Sequence, residues 1–191
     1  HPEAKDYKYW DQLHELIADM EHIMADASLL NAYNHINKEE INLILLVQNI
    51  VNSFMPQAYN KNIDLSYSVE ADYEDLFSSY LCDATKLKQA ITNLVKNAFE
   101  AVQPGNFIHI DLKYLPKKDS SPAKLSIIIS DNGTPIPQEL QENIFTPFVT
   151  YKKGGSGIGL AIVKKVVDMH FGCISVESNE ALTTFTIQLP L

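Results

Sequence analysis

The sequence predicts an α+β protein: a two-layer α/β sandwich, with helices on one face of a mixed sheet, preceded by a long bundle helix. Three observations carry this expectation. After residue 38, alternating apolar–polar segments that read as hairpin-paired strands are interleaved with segments of helical period. The first 30 residues or so carry apolar side chains at spacings of three and four, with no strand pattern among them. Four of the chain's seven glycines stand together just ahead of an apolar helix. The expected division is residues 1–36 for the bundle helix and linker, and residues 37–191 for the sandwich.

Leu13, Leu16, Ile17, Met20, Ile23, Met24, Ala27 and Leu30 form a heptad-like stripe on one helix of roughly 30 residues, about 45 Å long. Such a stripe needs a partner helix, so a bundle is expected. Asn34 to Lys38 reads as linker, residues 40–43 as a short strand, and residues 45–59 as a helix interrupted near its end by Pro56. Ile63, Leu65, Tyr67 and Val69 alternate with polar neighbours, which predicts a strand. Asp83 is a plausible N-cap for a helix running to Val102, stopped by Pro104-Gly105. "FIHIDLKYL" (107–115) and "KLSIIIS" (124–130) read as strands. A helix over 138–144, a glycine-rich loop, a helix over 157–171 and a closing strand pair, 172–178 and 183–190, complete the pattern.

Composition limits what the chain does. It is 46% hydrophobic and 20% charged, ordinary globular material, and its formal charge of −9 argues against a nucleic-acid or anionic-membrane binder. No run of 18 apolar residues and no signal-peptide pattern is present. The chain begins at His1-Pro2 rather than Met and reads as a fragment. Its expected location is cytoplasmic, with any membrane anchor of the intact protein left to segments upstream. Cys82 and Cys173 form no CxxC or metal-ligand spacing and read as reduced thiols. His22, His35, His109 and His170 are scattered and read as structural or surface residues.

Three constellations carry chemistry. On the helix after Asp83, Leu87, Ile91, Leu94, Val95, Ala98 and Val102 form the core stripe, while Asn93, Asn97 and Glu100 line up along another edge. Amide oxygens there suit Mg²⁺, which takes its remaining ligands from water and nucleotide phosphates. Two asparagines alone read more readily as a solvated face. "SDNGTPIP" (130–137) places Asp131 at the end of an apolar strand, where it either aims a carboxylate into a cleft or simply makes a turn. In "KKGGSGIGLAIVKK" (152–165), glycines at the head of a helix let backbone N–H groups crowd around phosphate. No GxxxxGK[ST] P-loop is present, and the glycines do not follow the first strand of a βαβ unit.

Taken in order, "NLVKNAFEAV", "DNGTPIP", "IFTPFVTYK" and "GGSGIGLAIVKK" closely resemble the N, G1, F and G2 boxes of the sensor histidine kinase ATP-binding domain. The flavour is that of nitrogen-regulation and sporulation-type kinases, and the resemblance covers roughly residues 38–190. It implies the histidine-kinase, chaperone and gyrase type of sandwich, ATP and Mg²⁺ as cofactors, and γ-phosphoryl transfer to a histidine for relay to a response regulator. It implies a homodimer formed through a helical bundle. Asn97 would hold Mg²⁺ between the phosphates, Asn93 would line the phosphate site, and Asp131 would accept the adenine amino hydrogen. Gly133 would leave room for the base, with Pro135 and Ile136 beside it. Phe145 and Phe148 would anchor a short lid over about 150–156. Gly155, Gly157 and Gly159 would wrap the phosphates, followed by Leu160, with Lys152 or Lys153 neutralising their charge. Thr184 would sit near the adenine.

Two departures stand out: Pro135 replaces the second glycine of Asp-x-Gly-x-Gly, and "ESNEALTTF" lacks the glycines usual before the last strand. Other readings remain open: a related ATPase, with Glu100 as its carboxylate, a nucleotide-binding regulatory module, or a protein serine kinase. The related ATPases place a glutamate one turn before the Mg-binding asparagine. Asn93 stands there instead and cannot act as a base. His14-Glu15 suggests a phosphoacceptor, but no returning helix separates it from the ATP-binding part. His14 therefore reads as lying on the second helix of the dimerisation hairpin, with the target histidine upstream.

Overall fold

The computed structural model describes residues 9–10, 13, 17, 20, 35–117, 122–150 and 156–191. In the first helix, Trp10, Leu13, Ile17 and Met20 are helical, and Leu13, Ile17 and Met20 are exposed. The remaining residues of the stretch predicted as the first helix, His14 included, lie outside the described residues. Among the described residues no helix is long and apolar enough to cross a membrane.

From the linker onward the chain runs β1 (Glu39–Ile41), α1 (Leu43–Lys61), β2 (Asp64–Val69), a 3₁₀ turn (Ala71–Tyr73), α2 (Glu74–Ser78), β3 (Tyr80–Cys82) and α3 (Ala84–Ala101). It continues through β4 (Phe107–Leu115), β5 (Lys124–Asp131), α4 (Gln138–Gln141), α5 (Gly159–Met169), β6 (Cys173–Ser178) and β7 (Thr183–Pro190). The main sheet has the order β2-β4-β5-β7-β6, with β2 and β4 parallel and the other pairs antiparallel. Period-two burial divides its faces. Ile108, Ile110 and Leu112 on β4, Leu125, Ile127 and Ile129 on β5, and Phe185, Ile187 and Leu189 on β7 are buried in the core. Ser66, His109, Ser130 and Thr184 occupy the opposite, polar face, where Ser66 Oγ lies 2.9 Å from His109 Nδ1. Burying each such Ile or Leu contributes roughly 1.5–3 kcal/mol, which makes this one-sided core the main source of stability. The two-layer sandwich with a mixed sheet is therefore as the sequence predicts.

Local departures have physical causes. α1 runs through Pro56 to Lys61 instead of breaking there, ending where Asn62 adopts φ 54°. Pro56 is exposed, so the carbonyl that loses its N–H partner is on the solvent side, and Leu43, Val47, Ile50, Val51 and Ala58 hold the helix to the core. α4 is shorter than predicted, and α5 begins two residues later because Gly157 has φ +68°. The segment 70–82, given no structure from sequence, forms the 3₁₀ turn, α2 and β3. Its β3 pairs antiparallel with β1, Glu39 opposite Cys82, and Phe77 is fully buried.

α3 starts as predicted: the Asp83 carboxylate accepts from the Lys86 N–H at 3.0 Å. It also takes Lys86 Nζ at 2.8 Å and the linker N–H of Asn37 at 3.0 Å. Its own N–H donates to Nε2 of the buried His170 at 3.0 Å, and His170 Nδ1 donates to the Val166 carbonyl at 2.8 Å. These bonds require the neutral ring, because a protonated Nε2 has no lone pair for the Asp83 N–H. Burial accordingly pushes His170 below its usual value of 6.5, against the opposing pull of the Val166 carbonyl and Asp83. For Asp83, burial raises the pKa, but the hydrogen bonds from Lys86 and Asn37 and the Lys86 charge outweigh it and hold it below 3.8.

The sign follows. The unfolded chain binds a proton at His170 more readily, so this stability is complete above pH 6.5 and is lost as pH falls through the depressed folded value. The Asp83 contribution persists to lower pH and is lost only below 3.8. Denaturant unfolding followed between pH 7.5 and 5 should therefore show stability falling by up to about 1.4 kcal/mol per pH unit from this histidine. In His170→Gln that component should vanish, and an unchanged slope in the variant would refute the assignment.

Candidate functional site

α3 and α5 pack antiparallel. The Asp83–His170 contact ties the start of α3 to the end of α5, and Asn93 Nδ2 donates to the Gly159 carbonyl at 3.2 Å, tying the middle of α3 to the start of α5. Beside this second contact opens a cleft of about 670 Å³. Its floor is the α3 edge carrying Asn93, Lys96, Asn97 and Glu100. Asp131 and Phe185 line it from the sheet, and Ser156, Gly157, Gly159 and Leu160 from the loop and first turn of α5. Pro135, Ile136, Pro137, Leu140, Ile144 and Val149 form an apolar wall.

The two ends differ in chemistry. At one end stands the α5 N-terminus, whose preceding residue, Ile158, makes no side-chain cap bond. Its first-turn N–H groups and helix dipole suit an anion. At the other end, β5 delivers Asp131, buried to 2% exposure, beside Ala101 at the end of α3. One Asp131 oxygen accepts the Gly133 N–H at 3.0 Å. Asn93 and Ala101 are eight residues apart, about 12 Å along the helix. The floor thus spans an anion-binding end and a carboxylate-bearing, apolar end, a layout suited to a nucleotide with its base near Asp131.

Most residues predicted from sequence meet here. Asn93, Asn97, Glu100, Asp131, Pro135, Ile136, Gly157, Gly159 and Leu160 all line the cleft. Lys152, Lys153 and Gly155 lie outside the described residues. Phe145 lies behind the wall, edge-on to Phe185 with ring centroids 6.4 Å apart. Phe148 does not line the cleft. It is exposed, at φ +65°, and its N–H donates to the Gly157 carbonyl at 3.0 Å. A Cβ on Gly157 would lie 2.7 Å from the Phe148 carbonyl carbon, so chain packing by itself requires a glycine here.

Two expectations are corrected. Thr184 does not face the cleft, because strand alternation turns it to the polar face beside Ser130. Its neighbour Thr183, opposite Asp131, lines the cleft. Gly133 does not line it either. A Cβ there would sit 2.5 Å from the Ala101 carbonyl oxygen, so its role is to let the Asp131 turn close onto α3, where the Thr134 N–H donates to that same oxygen.

Sequence reasoning also missed a hydrogen-bond brace behind the wall. Ser178 Oγ accepts the Ile136 N–H at 2.8 Å and lies 2.7 Å from Thr183 Oγ1. Gln141 Nε2 donates to the Ile136 and Ser178 carbonyls at 2.8 and 2.9 Å. Thr183 was within reach of the sequence, since the inward alternation of Phe185, Ile187 and Leu189 extends to it. The brace was not, because it joins residues about 40 positions apart. Cys82 offers no nucleophile: burial first, then the Asp83 and Glu39 charges, push its thiol up to about 12. Among the described residues no group of three or more His, Cys, Asp or Glu is placed to hold a metal.

The fold and the cleft define a nucleotide-binding α/β sandwich, and similarity to known proteins makes the class specific. Residues 82–191 match the family described as "Histidine kinase-, DNA gyrase B-, and HSP90-like ATPase". The chain belongs to that family. It is 36% identical over 132 residues to the sensory histidine kinase/phosphatase NtrB of Vibrio alginolyticus, covering 66% of this chain and 38% of that one. It is 37% identical over 150 residues to sporulation kinase D of Bacillus subtilis, covering 76% of this chain and 28% of that one. The nucleotide-free catalytic domain of histidine kinase ThkA superposes with a TM-score of 0.70 at 34% identity, covering 81% of this chain and 97% of that one. ThkA in complex with the response regulator protein TrrA superposes with a TM-score of 0.76 at 29% identity, covering 96% of this chain and 50% of that one. The chain thus spans between a quarter and two fifths of the length of these two curated relatives.

Gly133→Ala should lower stability by about 1–3 kcal/mol, since the added methyl meets backbone, not a movable side chain. Thermal unfolding measures this, and a variant as stable as the parent would show that the turn packs differently.

Proposed function

We propose that this chain is the ATP-binding catalytic part of a sensor histidine kinase, acting with Mg²⁺ to transfer the ATP γ-phosphoryl group to a histidine upstream of residue 1. The phosphoryl group then passes to a response-regulator aspartate. The observation that carries the choice is Asn93. It occupies the anion-binding end of the cleft, its amide is engaged with the Gly159 carbonyl, and it has no carboxylate with which to activate water. Glu100 lies seven residues further on, about 10 Å along the helix and toward the Asp131 end, which is badly placed for hydrolysis at the phosphates. Transfer by positioning and charge neutralisation suits this donor set better than hydrolysis.

The residues present fit the nucleotide. Asp131 would accept from the adenine amino group with Thr183 beside it, the apolar wall would cover the base, and the α5 N-terminus with Gly157 and Gly159 would receive phosphate. Asn97 would hold Mg²⁺, which supplies charge neutralisation on the phosphates when bound. Residues 1–36 serve as the second helix of a dimerisation hairpin plus linker, and residues 37–191 as the catalytic domain. The exposed Leu13, Ile17 and Met20 are consistent with a helix that requires a partner, and ThkA's complex with TrrA supports a response regulator as the downstream acceptor.

Asn97→Ala should abolish measurable Mg·ATP binding by calorimetry while circular dichroism shows the fold retained. Unchanged affinity would remove the metal assignment. For transfer itself, the chain and radiolabelled Mg·ATP are mixed with a longer form extended upstream, whose own cleft is disabled by Asn97→Ala. Acid-labile, base-stable label should appear on the longer form. Intact nucleotide binding with no such label would sink the kinase reading.

A further inference from the structure

We propose that Lys96 holds the outermost phosphate of the bound nucleotide, an inference that rests on the histidine-kinase reading of the cleft. The chain carries −9 overall and contains no arginine, all 15 of its Lys+Arg being lysines. The described cleft presents two carboxylates, Glu100 and Asp131, and a single cation, Lys96. A nucleoside triphosphate brings several more negative charges into that field, and one Mg²⁺ leaves part of them uncompensated.

Position then distinguishes Lys96. It stands three residues after Asn93 and immediately before Asn97, on the α3 edge that faces the α5 N-terminus through the Asn93–Gly159 bond. Asn93 and Asn97 are half-buried, whereas Lys96 is exposed. A phosphoryl group that leaves for an acceptor on another element must be presented at the mouth of the cleft. The inner phosphates fall to the half-buried amides and the helix N-terminus, and the outer one to the cation at the rim. A lysine suits this post, being a point charge on a flexible stem that can follow a moving phosphate.

The ammonium is also uncommitted. Lys86, Lys113 and Lys164 each pair with an aspartate, and Lys124 donates to Gln188. Lys96 makes no hydrogen bond or ion pair among the described residues. Its exposure makes a structural role small, so Lys96→Met and Lys96→Arg should fold as the parent does.

Calorimetry of the full 191-residue chain with Mg·ATP, Mg·ADP and AMP tests the proposal. Lys96→Met should weaken ATP binding about tenfold, ADP binding by less than about threefold and AMP binding not at all, and Lys96→Arg should restore ATP binding. Equal losses for ATP and ADP, or no loss for ATP, overturn the Lys96 assignment and leave the function standing. A parent chain that binds none of the three nucleotides overturns both.

Discussion

Everything at the cleft depends on the antiparallel contact between α3 and α5. The two helices are fastened at two points: the Asp83 N–H to His170 Nε2, and the Asn93 amide to the Gly159 carbonyl. The first is wholly buried and tolerates only a neutral imidazole. The second lies half-buried at the edge of the cleft. With both in place, the first turn of α5 is aimed along the polar edge of α3, and a helix N-terminus without a side-chain cap meets a row of amides. Neither helix builds the cleft alone, since one supplies a row of polar heads and the other its N-terminal turn of N–H groups. The linker joins the same foundation, because the Asn37 N–H ends on the Asp83 carboxylate and Lys38 sits over the Phe171 ring, 5.1 Å from its centroid.

The opposite end of the cleft is built by the sheet. β5 carries Asp131 inward, and the turn after it must fold immediately onto the end of α3. That close approach leaves no space for a Cβ at Gly133, whose nearest neighbour is a backbone oxygen. The glycine of this motif therefore serves packing, and the cleft lining beside it comes from Pro135, Ile136 and Thr183. A proline in the wall gives a fixed backbone with no N–H to satisfy, which suits an apolar surface. The brace of Ser178, Thr183 and Gln141 then holds the Ile136 peptide, so the wall is tied to β6 and β7 as well as to its own loop.

Legibility in the sequence followed the range of the interactions involved. The α3 cap, the α3 core stripe and the strands β2, β4, β5, β6 and β7 rest on contacts within a few residues or on strict alternation, and they were readable. The 70–82 segment was not, because "EADYEDLFSSYLC" has neither period, and its β3 forms only by pairing with β1 some 40 residues earlier. Pro56 misled for a related reason: its local preference to end a helix is outweighed by the burial of Val51 and Ala58 on either side. At the site, helix spacing correctly placed Asn93, Asn97 and Glu100 on one edge, whereas Thr184 was misplaced by one residue. A one-residue error in a strand reverses the face, and only the inward set Phe185, Ile187 and Leu189 reveals the true phase.

The same distinction separates what the family motifs mark from what the physics of this chain adds. Motif residues cluster where backbone geometry is demanding: Gly157 at φ +68° against the Phe148 backbone, Gly133 against Ala101, Asp131 on its own turn. Those positions define a cleft able to take a nucleotide, but they say little about charge. In a protein of net charge −9 without a single arginine, binding a polyanion depends on where its lysines stand. Among the described cleft residues that falls to a side chain inside the first motif, between its two asparagines, where a motif reading treats the position as filler. On the proposed reading, charge compensation sits on the same helix edge as the amides, and one rigid element would carry both the side chains that position the phosphates and the cation that balances them.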